Sequence, residues 1–174
     1  MADDWGMSTR PIPAPGSPRD LSRRLVEERE FLAAIHCLEP MLAEASSDVR
    51  AWIAADLADL AERAADAGDR TAAIHALEVA TAAVDWADLW CRLGILRVEA
   101  GRRTEARAAF DRALAIHPRY RAARLERALL DAGEGRIASA LESLQMLAGE
   151  SVVREPGLFA EGLERLAAAE FERA

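Results

Sequence analysis

Three glycines, Gly68, Gly101 and Gly135, stand 33 and 34 residues apart, and this near-constant interval constrains the fold more than any other feature. Each glycine ends an amphipathic run and precedes a polar turn and an Ala-rich segment: TAAIHALEVA, TEARAAFDRA or IASALESLQM. Glycine in this place is typical of a helix C terminus, where a left-handed residue is needed. The interval therefore predicts a chain built from repeated pairs of helices.

A similarity between two segments of the chain also supports the repeat. Residues 33–39 read AAIHCLE and residues 72–78 read AAIHALE, with six of seven positions identical. Composition agrees with helices, because the apolar half of the chain is mostly Ala and Leu and aromatic residues are only 5%. Ala and Leu favour helices, and the β-branched residues that favour strands are scarce. An all-α fold is predicted.

The segment 87–118 identifies the kind of repeat. The residues that fall at fixed spacing are Trp90, Leu93, Gly94, Ala106, Phe110, Ala113 and Pro118. This pattern resembles the tetratricopeptide repeat (TPR) family, in which a 34-residue unit forms a helix–turn–helix. Only Arg97 departs from it, at a position where Tyr is usual. The resemblance implies an α-solenoid of roughly nine helices, stacked into a short right-handed superhelix with a concave and a convex side.

Around this best-matched repeat, 87–120, the pattern is weaker. Residues 1–17 are rich in Pro and predict a disordered arm, and Ser17, Pro18 and Asp20 predict a helix start for a repeat domain spanning 18–174. The weaker repeats are expected at 18–46, 54–86 and 121–154, followed by a capping helix at 155–173. In the 54–86 repeat the equivalent positions hold Leu57, Leu60, Ala61, Ala73, Leu77 and Ala80.

The frame of the 121–154 repeat is open at this point. The unshifted frame places Arg124, Arg127 and Asp131 on core positions. A shift by one residue turns these three outward instead. The preferred, shifted frame buries Leu125, Ala128, Leu129 and Ala132.

Charge is unevenly distributed. The chain has a net charge of −8 and no Lys or Asn, yet residues 97–136 hold ten arginines against six acidic residues. This basic belt has three interpretations: solvated helix faces, a docking patch for an acidic partner, or nucleic-acid binding. The last is disfavoured, because the whole chain is acidic and few aromatics accompany the arginines. The docking patch would use Arg102, Arg103, Arg107, Arg121 and Arg124.

Neither a catalytic nor a metal site is expected. His36, His75 and His117 lie in separate repeats, whereas a metal needs several ligands that converge. Cys37 and Cys91 suggest no disulfide framework, and no Ser lies in a glycine-flanked elbow. No cofactor is implied, and the protein is expected not to be an enzyme.

The family resemblance implies a function. Its members generally bind a peptide or helix in the concave groove lined by the first helix of each repeat. Carried over, the groove would include Ala58, Glu62, Asp66, Asp88, Cys91, Ile95, Val98, Glu99 and Leu129. Without Lys or Asn, the usual clamp of co-chaperone members for an acidic peptide terminus cannot form.

The leading hypothesis is a cytoplasmic adaptor or assembly factor that binds one partner protein. Two alternatives stay open: a dedicated chaperone similar to secretion-system chaperones, and a structural subunit of a larger complex. We expect no nucleic-acid partner and no membrane insertion, since no run approaches the roughly 18 apolar residues of a membrane span. The sequence identifies neither the partner nor the oligomeric state.

Overall fold

The computed structural model describes residues 16–151, and its contacts divide the chain at residue 84 into two compact units. Every regular element in the described part is helical, with eight α-helices and one 3₁₀ turn. We call residues 16–84 the N-terminal unit and residues 85–151 the C-terminal unit. The predicted all-α repeat fold is confirmed. The arm before residue 16 and the capping helix at 155–173 lie outside the described residues.

The N-terminal unit contains four helices: α1 (Pro18–Glu27), α2 (Phe31–Leu38), α3 (Ser47–Asp66) and α4 (Arg70–Ala83). Helix α1 begins as predicted, with the Ser17 hydroxyl accepting from the Asp20 amide and Pro18 in the first turn. A 3₁₀ turn, Glu39–Leu42, extends α2, and Pro40 within it cannot continue the α-helical hydrogen bonds. The pairs α1/α2 and α3/α4 pack as hairpins.

The C-terminal unit also contains four helices: α5 (Ala87–Glu99), α6 (Arg103–Ile116), α7 (Arg121–Gly133) and α8 (Ile137–Ser151). They pack as the hairpins α5/α6 and α7/α8, with α7 also contacting α5 and α6. Gly94 of α5 lies against the fully buried ring of Phe110 on α6, and a Cβ at Gly94 would come within 2.4 Å of that ring. The small residue expected from the repeat pattern is therefore required by this close approach.

All four hairpins turn in the same way. The predicted glycines Gly68, Gly101 and Gly135 have φ of 85°, 75° and 84°. At Gly101 the amide donates to Val98 O at 2.9 Å, and the next amide, of Arg102, donates to Arg97 O at 2.8 Å. These are the two hydrogen bonds of a Schellman motif. Arg29 forms the same pair of bonds after α1 with φ of 63°, so the first turn uses the left-handed geometry without a glycine.

The shifted frame of the third repeat is confirmed for its core. Leu125, Ala128 and Ala132 are buried in a cluster with residues of α8, and Leu129 packs against it half-buried. The expectation that Asp131 faces outward is wrong. Its side chain is only 6% exposed, because α7 contacts three other helices, α5, α6 and α8. Arginine side chains surround the buried carboxylate.

Two further findings concern the helix surfaces. Trp86 is 42% exposed just before α5 begins, where its backbone is extended. Between residues 16 and 151, no helix combines the length and the apolar character that crossing a bilayer requires.

Candidate partner-binding site

One stripe of α5 carries most of the predicted groove residues. Asp88, Cys91, Ile95, Val98 and Glu99 follow one another at short intervals, mostly of three and four residues, which places them on one side of the helix. Asp88 and Glu99 are exposed, while Ile95 and Val98 are half-buried. The stripe therefore presents apolar surface between two carboxylates.

The half-buried residues of the stripe pack on a buried cluster of side chains. Ile95 and Val98 pack against a buried cluster that includes Phe110 of α6 and Leu130 of α7. Leu129, the groove residue predicted on α7, packs against the separate cluster between α7 and α8. The helices thus fix the apolar side chains from one side and leave the other side accessible. Such an arrangement can bind an apolar side chain with little loss of conformational entropy.

Cys91 does not line the accessible surface, contrary to the prediction. It is 2% exposed and belongs to the buried cluster between α5, α6 and α7. Burial raises the pKa of its thiol to about 12, and the charges of Glu126 and then Asp88 contribute to this rise. The thiol is consequently neutral and a poor nucleophile at physiological pH. Glu126 of α7, which the sequence pattern does not indicate, thus adds negative charge in the surroundings of Cys91.

The start of α5 is held by a polar contact. Asp85 accepts a hydrogen bond from Trp90 Nε1 at 2.8 Å and another from Arg112 Nε at 3.1 Å. The hydrogen bond from Arg112, followed by that from Trp90, lowers the pKa of the Asp85 carboxyl. This contact ties the first turn of α5 to α6 and orients the indole of Trp90 beside the apolar cluster.

The groove residues predicted on α3 belong to the N-terminal unit. Ala58, Glu62 and Asp66 are spaced by four residues and share one face of α3. Glu62 and Asp66 are exposed, but Ala58 is 5% exposed and offers almost no surface to a partner. Ala58 is buried because its small side chain lies where α3 is in contact with other helices of its unit. On α3, therefore, the accessible residues of the predicted set are the two carboxylates.

The arginines predicted to attract an acidic partner all have partners within the chain. Arg107 lies 2.7 Å from Asp131 and 2.5 Å from Glu134, and Arg102 lies 4.0 Å from Glu105. Arg103 Nη1 donates to the carbonyl of Gly133 at 3.3 Å. The remaining two, Arg121 and Arg124, are half-buried and each has an interaction of its own. Much of the basic belt is therefore neutralised inside the C-terminal unit.

Asp131 is the centre of this ionic network. Its carboxylate accepts from Arg127 Nη1 at 2.9 Å and from Arg136 Nη2 at 2.7 Å, in addition to the pair with Arg107. Arg136 also pairs with Glu134. The arginines come from α6, from α7 and from the turn before α8, so one buried carboxylate links three helices.

Solved structures with the same architecture decide the fold. The chain is similar to MamA, at 20% identity and a TM-score of 0.57, over 87% of this chain and 84% of that one. It is similar to YrrB, "a TPR protein with an unusual peptide-binding site", at 17% identity and a TM-score of 0.55, over 87% and 84% of the two chains. It is also similar to TTC0263, a thermophilic TPR protein of Thermus thermophilus, at 18% identity and a TM-score of 0.50, over 91% and 100%. This chain has the TPR fold.

Searches by sequence give a different result. No family model matches this TPR-fold chain, and a search of curated proteins finds no match. Identities of 17% and 20% to the solved structures explain the contrast, because the TPR fold depends on a few small and apolar positions per repeat.

A cavity of about 280 Å³ lies among α1, α2 and α3 of the N-terminal unit. Its charged lining consists of Arg19, Arg23, Arg63, Glu27, Asp56 and Asp59. Three positive and three negative groups give the lining no net formal charge. Arg19 pairs with Asp56 through Nε, and this contact occupies one wall of the cavity.

The histidines behave differently from the prediction. Their separation along the sequence argues against a shared site, but consecutive TPR hairpins stack and bring equivalent positions together. His36 and His75 lie with their ring centroids 6.1 Å apart, and Glu39 joins them. The expectation that the three histidines do not converge is therefore wrong for this pair, whereas His117 lies in the C-terminal unit beside Tyr120.

Proposed function

We propose that the chain is a cytoplasmic, non-catalytic adaptor or assembly factor that holds a peptide or helix of a partner protein on the α5 stripe. One observation carries this proposal. Ile95 and Val98 are fixed and half-buried on a helix face whose two ends carry the exposed carboxylates of Asp88 and Glu99. An apolar strip with charged ends suits a partner segment that buries one or two apolar side chains and carries positive charge around them.

Energetics favour a short segment. Each Å² of apolar surface that the partner removes from water contributes about 25 cal/mol, so two accommodated side chains can supply several kcal/mol. Asp88, Glu99 and Glu126 would select basic or neutral segments by long-range attraction. Glu62 and Asp66 of α3 give the N-terminal unit the same acidic character on its first long helix. The peptide-binding site described for YrrB supports this use of the fold.

An acidic partner is less well supported. Of the arginines that would receive it, Arg102, Arg103 and Arg107 already face carboxylates or a carbonyl of the chain, at 2.7 Å for Arg107 and Asp131. Binding an acidic segment would require breaking these contacts, some of which are half-buried. A basic segment is attracted by the negative charge of Asp88, which is exposed on the stripe, before any direct contact forms.

The test is affinity capture of partners from the native host, followed by mass spectrometry and by measurement of Kd with the captured protein. The double variant Ile95→Glu/Val98→Glu should weaken binding about 30-fold or more, since a buried anchor contributes about 2 kcal/mol. Helicity, measured by circular dichroism, should remain. The control is Ile116→Glu, which adds one negative charge at an exposed isoleucine of α6 and should leave Kd unchanged.

A second variant pair keeps the test independent of packing. Asp88→Arg/Glu99→Arg changes only exposed side chains and should slow association of a basic segment, most strongly at low salt. Unchanged binding by both double variants would show that the α5 stripe is not the site. A captured protein that precipitates without this chain would instead indicate the chaperone role.

A further inference from the structure

Three side chains of the N-terminal unit with metal-ligating atoms converge at one place. His36, Glu39 and His75 each offer a ligand atom, and these atoms all lie within 4.8 Å of one another. Glu39 Oε1 is 3.4 Å from His75 Nε2, and the two imidazole planes meet at 71°. His36 is exposed and the other two are half-buried, so an ion could reach them from solvent.

The convergence follows from the repeat. His36 and Glu39 are three residues apart on a backbone that stays helical, since Glu39 has φ −52° and ψ −49°, and they therefore share a face. His75 occupies on α4 the position that His36 occupies on α2, in the echoed sequences AAIHALE and AAIHCLE. Helices α2 and α4 are in contact, and stacking sets the equivalent histidines side by side.

We propose that His36, Glu39 and His75 bind a divalent transition-metal ion, and that Zn²⁺ fits the donor set best. Two imidazole nitrogens and one carboxylate oxygen are ligands that Zn²⁺ takes at about 2.0–2.2 Å, in a tetrahedral arrangement. Tetrahedral ligands at that length are about 3.3–3.6 Å apart. Because the ligand atoms lie within 4.8 Å of one another, binding requires the pairs that are farthest apart to approach by about 1 Å. Water would fill the fourth position on the exposed side.

The donor set also limits which ions bind. Mg²⁺ and Ca²⁺ prefer six or more oxygen ligands, which two histidines do not provide. Cys37 follows His36 directly, but neighbouring side chains on a helix diverge by about 100°, so its thiol points away from the site. A bound ion would tie α2 to α4 across 39 residues of sequence and so stabilise the N-terminal unit.

The experiment uses the full chain without an affinity tag, treated with a chelator and titrated with ZnCl₂ in a calorimeter. One equivalent of Zn²⁺ should bind and raise the melting temperature, while MgCl₂ should do neither. In ¹H–¹⁵N spectra of the imidazoles, the signals of His36 and His75 should shift together and that of His117 should stay. Absence of binding, or a shift confined to His117, would contradict the proposal.

Substitutions distinguish Zn²⁺ binding at this site from Zn²⁺ binding at the thiol of Cys37 or at His117. His36→Ala and His75→Ala should each weaken Zn²⁺ binding by more than about tenfold, because loss even of an outer-shell partner costs about 10–100-fold. The matched controls His117→Ala and Cys37→Ser should bind as the wild type does. If a histidine variant fails to fold, Glu39→Gln retains the size of the side chain and should still weaken binding. Full binding by Glu39→Gln and loss in Cys37→Ser would assign the ion to the thiol and overturn the proposal.

Discussion

In the N-terminal unit one arginine, Arg19, lies buried against Asp56, with side chains 8% and 13% exposed. In the C-terminal unit, Asp131 is as deeply buried but faces three arginines, which themselves have further partners in Glu134 and Asp111. The first arrangement is centred on one arginine–aspartate contact, whereas the second distributes charge over a network of side chains. The comparison predicts that a single buried contact contributes more to stability than any one ion pair of the network, because the network leaves each arginine a second partner.

The largest expected effect tests this comparison directly. Asp56→Ala should lower the free energy of unfolding by about 3–5 kcal/mol, because it removes the carboxylate that contacts the buried guanidinium of Arg19. Asp131→Ala should cost less, about 1–2 kcal/mol, because its arginine partners have other carboxylates. Arg107 and Arg136 would still pair with Glu134, and Arg127 would still pair with Asp111. Urea titration of both variants provides the measurement. A larger loss for Asp131→Ala would mean that the network acts as one unit around its central carboxylate.

The two units also differ in how one interhelical contact is filled. Gly94 and Phe110 are sixteen residues apart in the C-terminal unit, and Ala61 and Leu77 have the same spacing in the N-terminal unit. All four residues are buried. A smaller residue on the first helix is thus paired with a larger one on the second, which keeps the combined volume similar.

Exchanging the pairs should sharpen this second comparison. Gly94→Ala should cost about 1–3 kcal/mol, because its Cβ would lie 2.4 Å from the buried ring of Phe110. Adding Phe110→Leu, which rebuilds the Ala/Leu pair, should recover at least about 1 kcal/mol relative to the sum of the single variants. The control is Gly133→Ala on α7, where a Cβ would meet no side chain within 4 Å and the steric cost should vanish. Strict additivity in urea titrations would show that the ring and the backbone do not compete for the same space.

Much of this architecture is predictable from the sequence because it depends on residue types with few alternatives. Gly68, Gly101 and Gly135 identify three turns, and Gly94 with Phe110 identifies the tight hairpin. The turn at Arg29 could not be predicted, because it adopts the left-handed backbone without a glycine to indicate it in the sequence.

The candidate sites were harder to predict from the sequence than the fold. Burial of Cys91 and Ala58 depends on how neighbouring helices cover α5 and α3, and helix periodicity alone does not determine this. The meeting of His36 and His75 could have been predicted, since equivalent positions of stacked repeats become neighbours. The role of Asp131 could not, because it needs arginines from three segments.

The smallest expected effect concerns the turns. Gly101 has φ 75° and Arg29 has φ 63°, yet both turns make the same pair of backbone hydrogen bonds. A Cβ in this left-handed region costs about 1–2 kcal/mol, while glycine loses about 0.5–1 kcal/mol more chain entropy on folding. Arg29→Gly should therefore stabilise the protein by less than about 1 kcal/mol, seen as a small rise in the melting temperature.

The matched variant Gly101→Ala should shift the melting temperature in the opposite direction by a similar amount, since it introduces the strain that Arg29 already carries. Arg29 is exposed, so loss of its side chain removes no buried packing that could mask the backbone effect. A fall in the melting temperature of Arg29→Gly would mean that the arginine side chain holds the first hairpin together. In that case the first turn of the N-terminal unit would differ from the turn at Gly101 in its side-chain contacts and not only in its backbone strain.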